Sequence, residues 1–222
     1  MKIENVKACV FDAYGTLFDV NSAAAKCKKK LGSKWEGFAN AWRTTQLEYT
    51  WLRSLMKKHR NFWEITEDSL DHTMETFKIK KEMRNELLDL YKRLSTYHEV
   101  KECLEGLKAK KIKIAILSNG TPDLLIELVK SNDIQNYFDD ILSIESVGVY
   151  KPDSRVYEMP IKKYNCKPEN ICFMSSNTWD VSGGGIFGFN AVWVNRFNKI
   201  FDKLGYKPKF VINNLKELLT VI

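Results

Sequence analysis

The 222-residue chain is 44% hydrophobic and 28% charged, a balance typical of a globular protein rather than a disordered or membrane-embedded one. Its net charge of +7 comes from 35 Lys and Arg against 28 Asp and Glu, and the one small lysine cluster, at 26–30, fits a solvated helix face. Because the other lysines are scattered, a nucleic acid is not an expected partner. No stretch approaches 18 apolar residues, so a membrane is not an expected partner either.

The cysteines predict a reducing environment. There are five, an odd number, and they contain no C-x-x-C pair. Cys9 and Cys172 lie in apolar runs, where a thiol usually behaves as a small hydrophobic group. The N-terminal residues carry no signal-like apolar segment. We therefore expect a cytoplasmic protein with reduced thiols.

Short apolar runs alternate with helical patterns along most of the chain, as in parallel sheets covered on both faces. The predicted strands are 6–11, 112–117, 141–144, 171–174, 191–194 and a weaker sixth at 210–212. The predicted crossover helices are 100–110, 121–131, 154–165 and 178–186, and Pro160 is expected to kink or shorten the third of these. This order predicts the α/β class, with a doubly wound, Rossmann-like parallel sheet.

The segment from 20 to 96 breaks the alternation, because it contains helical patterns and no convincing strand. A helical insertion after the first strand would form a cap over the carboxyl ends of the strands, where ligands bind in open α/β sheets. We therefore predict a catalytic core formed by 1–19 and 97–222, and a cap domain formed by 20–96.

Polar residues follow the predicted strands at the edge where the strand ends converge. Asp12 follows the first strand, Ser118-Asn119-Gly120 the second and Lys151 the third, and the fourth ends in the stretch SSNTWD, 175–180. Taken singly, each has an ordinary explanation. Asp12 would be an acid in a turn, and Ser118-Asn119-Gly120 a turn. Lys151 would be a surface lysine, and Asp180 an acid in the first turn of a helix. Gly183-Gly184-Gly185 fits close helix packing better than a phosphate loop. The joint occurrence of the strand-end residues indicates a catalytic site.

These residues resemble the motifs of the haloacid dehalogenase superfamily, over nearly the whole chain. Most members of that superfamily are Mg²⁺-dependent phosphatases, with a D-x-D-x-T first motif and two acids in the fourth. Here Tyr14 occupies the position of the second acid in the first motif. Ser176 stands in the position of the first acid in the fourth motif, and only Asp180 remains.

These two substitutions favour carbon–halogen cleavage over phosphoryl transfer. Expelling an alcohol from a phosphate ester needs a proton donor, which is the task of the missing second acid. A halide is the conjugate base of a strong acid and leaves without a proton. A phosphate dianion facing a carboxylate calls for a divalent cation, whereas a 2-haloacid carries one negative charge remote from the leaving atom.

In detail the chain is most similar to the (S)-2-haloacid dehalogenases. The resemblance rests on five separated stretches: FDAYGTLFDV, WRTTQLEYTWLR, LSNGTPDLL, YKPDSRVY and SSNTWDVSGGGIFGF. It implies conversion of (S)-2-haloacids to (R)-2-hydroxyacids and halide, with water as the second reactant and with no metal or other cofactor. It also implies a homodimer.

The resemblance implies a role for each catalytic residue. Asp12 would attack the α-carbon from the side opposite the halogen and form an ester with inversion. Water activated mainly by Asp180, and positioned by Asn177 and Ser175, would then hydrolyse that ester. Lys151 would keep Asp12 ionised and oriented.

A second group would hold the substrate. Ser118, with backbone N–H groups near Tyr14 and at the Asn119 turn, would bind the substrate carboxylate, and Thr16 of the first motif is also assigned to substrate binding. The family uses the arginine matching Arg43 together with Asn119 to cradle the halide. The helical neighbours of Arg43 at positions 39, 40, 46 and 47 include no carboxylate, so it lacks an intrahelical ion-pair partner.

The remaining predicted site residues are mainly apolar. Leu47, Phe62, Tyr14 and Trp179 would form the walls around the halocarbon, although ordinary core packing explains Leu47 and Phe62 equally well. Tyr157 matches a supporting position near the site and is assigned to the substrate-binding group.

Two alternatives remain open. One is an Mg²⁺-dependent phosphohydrolase with altered motifs, in which Asp12, Asp180 and the Tyr14 carbonyl form a poor metal site. The other is a catalytically silent binding protein, which the retention of Asp12, Lys151 and Asp180 disfavours. The three histidines lie outside the strand-end motifs, which argues against a Ser–His–Asp hydrolase.

Overall fold

The computed structural model describes residues 2–222, which contain six strands in one parallel sheet. In chain order the strands are β1 (Ala8–Phe11), β2 (Lys113–Ser118), β3 (Asp140–Ser143), β4 (Ile171–Ser175), β5 (Asn190–Val194) and β6 (Phe210–Ile212). Their spatial order is β3-β2-β1-β4-β5-β6, so the chain winds outward in both directions from β1. The predicted α/β class with a doubly wound, Rossmann-like sheet is confirmed.

Helices cover the sheet and fill the long connection between β1 and β2. The α-helices of the described residues are α1 (Ser22–Lys26), α2 (Lys28–Leu31), α3 (Trp35–Leu55), α4 (Phe62–Phe77), α5 (Arg84–Tyr91), α6 (Val100–Ala109), α7 (Pro122–Ser131), α8 (Ser154–Tyr164), α9 (Thr178–Phe187) and α10 (Leu218–Val221). Within residues 2–222, no helix is both long and apolar enough to cross a membrane.

The register of the central strands places the site. Every residue of β1 and β4 is buried, as expected for strands covered on both faces. Phe11 pairs with Ile116 of β2 and with Met174 of β4, so these strands end at nearly the same level. The residues that follow β1, β2 and β4 therefore meet at one edge of the sheet.

The insertion between β1 and β2 consists of α1 to α5, and its two connections to the sheet run side by side. The Tyr97 N–H donates to the Leu17 carbonyl at 3.1 Å, and the Asp19 N–H donates to the Ser95 carbonyl at 2.8 Å. The helical insertion after the first strand is confirmed. The domain boundaries, 1–19 with 97–222 and 20–96, stay a prediction.

Pro160 was expected to kink or shorten this helix; α8 continues through it to Tyr164, so it is not shortened, and the kink stays a prediction. The last turn is tied to β3 by side chains. The Tyr164 hydroxyl donates to Asp140 at 2.9 Å, and Lys163 Nζ lies 2.6 Å from the same carboxylate. These contacts hold the turn in place despite the missing proline N–H.

The glycine run in α9 packs closely against its surroundings, as predicted. A Cβ atom on Gly184 would lie 2.8 Å from the Phe173 ring, and one on Gly185 would lie 2.1 Å from the Tyr206 ring. The absence of side chains therefore lets α9 approach β4, and this fixes the position of the first turn of α9 at the sheet edge.

We predict that Gly184→Ala destabilises the protein by about 1–3 kcal/mol, because the new methyl group must displace the buried Phe173 ring. Urea unfolding measures the change. Gly37→Ala in α3 is the matched control, since its Cβ would lie 3.3 Å from the movable Phe77 ring and it gains up to about 1 kcal/mol of helix propensity. Equal free energies of unfolding for the two variants would contradict this packing argument.

Candidate active site

Asp12 follows β1 and begins a tight turn that directs its carboxylate to the sheet edge. Its N–H donates to the Met174 carbonyl at 2.9 Å, which continues the pairing with β4 for one more residue. Gly15 in the turn has φ +90°, a conformation that favours glycine. The Asp12 side chain is 7% exposed, so its carboxylate is largely shielded from bulk water.

The two carboxylate oxygens of Asp12 have different surroundings. Oδ2 accepts hydrogen bonds from Asn177 Nδ2 at 2.8 Å, Thr16 Oγ1 at 2.9 Å and Ser175 Oγ at 3.4 Å. Oδ1 contacts only Lys151 Nζ, at 3.3 Å, among the described residues. Oδ2 therefore accepts three hydrogen bonds and Oδ1 accepts one, which makes Oδ1 the less encumbered of the two oxygens.

Lys151 is fully buried and joins the two site carboxylates. Its Nζ lies 3.3 Å from Asp12 Oδ1 and 2.9 Å from Asp180 Oδ2, and the Phe173 ring centroid lies 5.0 Å away. One ammonium thus serves two buried acids, and the three groups together carry one net negative charge.

Asp180 lies in the first turn of α9 and is fully buried. Burial raises the pKa of Asp180 to about 6, while Lys151 acts in the opposite direction. The Tyr157 hydroxyl donates to Asp180 Oδ1 at 2.8 Å. Burial also raises the pKa of Tyr157 well above its ordinary value, so the phenol keeps its proton and stays a donor.

The residues after β2 line the same edge. Ser118 is fully buried, and its Oγ accepts the Gly120 N–H at 3.1 Å. The Asn119 Oδ1 accepts the Lys151 N–H at 3.2 Å, which leaves the Asn119 Nδ2 group as a donor for a ligand. The structure thus brings both predicted residues to the site.

The cap contributes Arg43 from α3. Its guanidinium donates to Gln46 Oε1 at 2.9 Å and to the Tyr14 carbonyl at 3.5 Å. It makes no ion pair within residues 2–222, so its charge is available to an anion. Gln46, not predicted as a site residue, is itself held by Thr66 Oγ1 at 2.7 Å and by the Tyr91 hydroxyl at 3.0 Å.

The predicted apolar walls form two groups. The Tyr14 and Phe62 ring centroids are 5.0 Å apart, and Leu47 lines a cavity of about 440 Å³ with Arg43. Trp179 contacts the Trp51 ring, with centroids 5.4 Å apart, and together with Tyr157 it lines a second groove of about 520 Å³.

The donor set does not fit a magnesium site. The Tyr14 side chain, at the position of a second acid, packs against Phe62 and Tyr91 instead of facing Asp12. Ser176 donates its N–H to Thr16 Oγ1 at 2.8 Å. Asp12 and Asp180 both bind the Lys151 ammonium, and the described residues contain no group of three His, Cys, Asp or Glu side chains arranged as metal ligands.

This fold and this strand-end arrangement define a hydrolase of one superfamily. The family model of the haloacid dehalogenase-like hydrolases matches residues 6–188 of the sequence. The (S)-2-haloacid dehalogenase of Pseudomonas fluorescens is 41% identical over 218 residues, which cover 97% of this chain and 96% of that protein. The chain belongs to the haloacid dehalogenase-like hydrolases and, among them, to the family of the (S)-2-haloacid dehalogenases, as the resemblance implied.

Solved structures agree with this assignment. One structure of a dehalogenase has a TM-score of 0.97 at 36% identity, covering 99% of this chain and 98% of its own. The L-2-haloacid dehalogenase of Xanthobacter autotrophicus, solved with chloropropionic acid covalently bound, has a TM-score of 0.90 at 32% identity and 97% coverage of both chains.

We predict that Lys151→Met lowers the free energy of unfolding by about 3–5 kcal/mol at pH 7.5, because it leaves two buried carboxylates without a counter-ion. Lys151 lowers the pKa of Asp180, so its removal raises that pKa further. At pH 5 Asp180 is then protonated in the folded variant and its desolvation no longer opposes folding, so the loss is smaller there.

Urea unfolding at the two pH values measures this difference. Lys162→Met is the matched control, since Lys162 forms an exposed pair with Glu158 and its removal costs less than about 0.5 kcal/mol at either pH. A loss for Lys151→Met that is the same at pH 5 and pH 7.5 would show that the charge of Asp180 is not the cause.

Proposed function

We propose that the protein is a hydrolytic dehalogenase that converts (S)-2-haloacids to (R)-2-hydroxyacids and halide through an ester on Asp12, without a metal ion. One observation carries this proposal: a single buried ammonium joins Asp12 and Asp180, and it is the one hydrogen-bond partner of Asp12 Oδ1 among the described residues, which makes Oδ1 the better placed of the two oxygens to act as nucleophile. Named relatives that cover nearly the whole chain act on (S)-2-haloacids.

In the first step Asp12 Oδ1 attacks the α-carbon on the side opposite the halogen. The oxygen lone pair forms the new C–O bond, and the C–halogen bond breaks with both electrons leaving on the halide. The configuration at the α-carbon is inverted. The Lys151 ammonium pairs with Oδ1 of the Asp12 carboxylate, and Asn177, Thr16 and Ser175 orient that carboxylate through Oδ2.

Positive and polar groups around Asp12 bind the two negatively charged parts of the reactant. Arg43, which has no carboxylate partner among residues 2–222, and Asn119 Nδ2 would bind the departing halide. Ser118 and the N–H groups of the adjoining turns would bind the substrate carboxylate. The packed rings of Tyr14 and Phe62 exclude water from the reacting carbon.

In the second step water attacks the Asp12 carbonyl carbon and gives its proton to Asp180. The negative charge that develops on Asp12 Oδ2 is stabilised by the three donors that already hold it. The bond between Asp12 and the product oxygen then breaks, and that oxygen takes a proton from Asp180. The hydroxyl of the product is thus an original Asp12 oxygen, and the water oxygen replaces it in Asp12. The second proton of the water is released to solvent, which restores the Asp12 carboxylate.

We predict halide release from (S)-2-chloropropionate in the presence of EDTA, with (R)-lactate as the product. In a single turnover in ¹⁸O-water the label enters Asp12 and the first-formed lactate is unlabelled.

Asp12→Asn lowers the rate by roughly 10⁴-fold or more, because the nucleophile is lost. Asp89→Asn, an exposed acid of α5, is the control and keeps the wild-type rate.

Activity restricted to phosphate esters with added Mg²⁺ would instead support the phosphohydrolase alternative. Label appearing directly in lactate, or retention of configuration, would exclude an Asp12 ester. If Asp12→Asn leaves the one measurable function intact, the protein is a binding protein.

We predict that kcat falls on the acid side of the pH profile, because Asp180 must be ionised to accept the proton of water. Burial raises the pKa of Asp180 to about 6 in the free enzyme, and the Asp12 charge that also raises it is absent from the ester, so the fall begins below pH 6. Tyr157→Phe removes a hydrogen bond that lowers the pKa of Asp180, so the acid limb of the profile moves to higher pH. Steady-state halide release from pH 4.5 to 8.5 measures both. A wild-type profile that is flat from pH 4.5 to 7 would contradict the assignment of Asp180 as the base.

We also propose that the protein is a cytoplasmic homodimer. The five cysteines are free thiols, and four of them are buried, which is consistent with a reducing compartment. Sedimentation at the mass of a single chain would rule out the dimer.

A further inference from the structure

Arg196 is a buried cation outside the set of strand-end residues that define the family site. It is the second residue after β5, and its side chain is 7% exposed. Its guanidinium pairs with Glu99, donates to the Thr16 carbonyl at 2.8 Å, and stacks on the Tyr97 ring, 4.1 Å from the centroid. Three segments that are distant in sequence therefore meet on one side chain.

The Glu99 carboxylate neutralises this cation in the interior. Glu99 is 1% exposed and lies at the start of α6, and it also accepts the Leu215 N–H at 3.4 Å. A buried arginine that has a full charge partner does not need the Thr16 carbonyl for its own neutralisation. Because the guanidinium is planar and has five donors, it binds the Glu99 carboxylate oxygen and the Thr16 carbonyl oxygen at the same time in a fixed geometry.

The contact with Thr16 leads to the nucleophile. The Thr16 hydroxyl donates to Asp12 Oδ2 at 2.9 Å and accepts the Ser176 N–H at 2.8 Å. The backbone of the same residue is the acceptor of Arg196. Fixing that peptide fixes where the hydroxyl points, and the hydroxyl is one of the donors that face the charge on Oδ2.

The Tyr97 contact adds the connections of the cap. The Tyr97 N–H donates to the Leu17 carbonyl, so the chain that returns from the cap is bound to the residue next to Thr16. The Arg196 guanidinium stacks on the Tyr97 ring and binds the Thr16 carbonyl at the same time. It thereby fixes the nucleophile turn relative to the cap connection.

We propose that Arg196 is a positioning residue for ester hydrolysis: it holds Thr16 so that the Thr16 hydroxyl stabilises the charge on Asp12 Oδ2. This inference rests on the proposed function. Attack of Oδ1 on the substrate needs no new charge on Oδ2, whereas attack of water on the ester places a full negative charge there. Loss of the Arg196–Thr16 contact therefore slows the second step more than the first.

The test is Arg196→Lys, which keeps a cation beside Glu99 but cannot bind both oxygens with the fork of a guanidinium. With (S)-2-chloropropionate we expect kcat to fall about tenfold and KM to fall with it, so that kcat/KM changes less than twofold, because hydrolysis follows the irreversible cleavage of the C–halogen bond. The Asp12 ester accumulates in acid-quenched steady-state samples analysed by mass spectrometry. The control is Arg155→Lys, which alters an exposed pair with Asp153 and leaves kcat and the ester fraction at wild-type values.

A double-mutant cycle separates positioning from general stability. If Arg196 acts through Thr16, then Arg196→Lys in a Thr16→Val background lowers kcat by less than about twofold further. Independent, multiplicative losses would overturn the proposal, as would a fall in melting temperature with an unchanged ester fraction. A fall in kcat without ester accumulation would also overturn it.

A structural readout keeps this inference distinct from the proposed function. In crystals of Arg196→Lys we expect the Thr16 Oγ1 to Asp12 Oδ2 distance to exceed hydrogen-bond length, and an unchanged contact would refute the positioning role. Failure of the wild-type protein to release halide would defeat the proposed function, and the crystal contact would still decide whether Arg196 holds Thr16.

Discussion

The bridge that Lys151 makes between Asp12 and Asp180 is the interaction on which the site depends. Three fully or nearly fully buried charges come from three separate parts of the chain, and they meet because the strands of a parallel sheet end at one level. Without the ammonium, two buried carboxylates would face each other and one would take up a proton. With it, Asp12 has a charge partner from the protein itself.

The bridge also divides the chemistry between two oxygens and two acids. Asp12 Oδ2 is held by three donors, and Oδ1 is left for attack. Burial holds the pKa of Asp180 near the range in which a carboxylate can accept and return a proton. The leaving group explains why this suffices, since a halide needs neither a proton nor a metal ion to depart, whereas a phosphate ester calls for both. The packed ring of Tyr14, where a second acid would stand, is consistent with this division.

The sequence predicted the sheet, the helical insertion and the convergence of the strand-end residues, because these follow from local periodicity and from the geometry of parallel strands. It could not predict contacts between distant segments. In the sequence, Gln46 was only an uncharged helical neighbour of Arg43. In the structure it accepts a hydrogen bond from Arg43 and is itself held by Thr66 of α4 and Tyr91 of α5. Arg196 follows the fifth strand, where no motif directs attention, and its function depends on a carbonyl 180 residues away.

The expected shortening of α8 at Pro160 failed for a related reason. Helix propensity is local, and the contacts of Tyr164 and Lys163 with Asp140 are not. Similarly, the sequence grouped Trp179 with Leu47 as pocket walls but did not predict that Trp179 packs against Trp51 of α3; its role as a wall stays a prediction. Side-chain direction is fixed by tertiary packing, so residue type and spacing alone do not define it.

The most direct measurement is a crystal structure of Asp180→Asn after exposure to (S)-2-chloropropionate, since this variant keeps the nucleophile but lacks the base for the second step. The account predicts continuous density from Asp12 Oδ1 to the α-carbon, inverted configuration at that carbon, and Lys151 still beside both side chains. Two results would contradict it. One is an unmodified Asp12 with intact chloropropionate beside it in crystals of a variant that releases halide in solution. The other is a metal ion bound between residues 12 and 180.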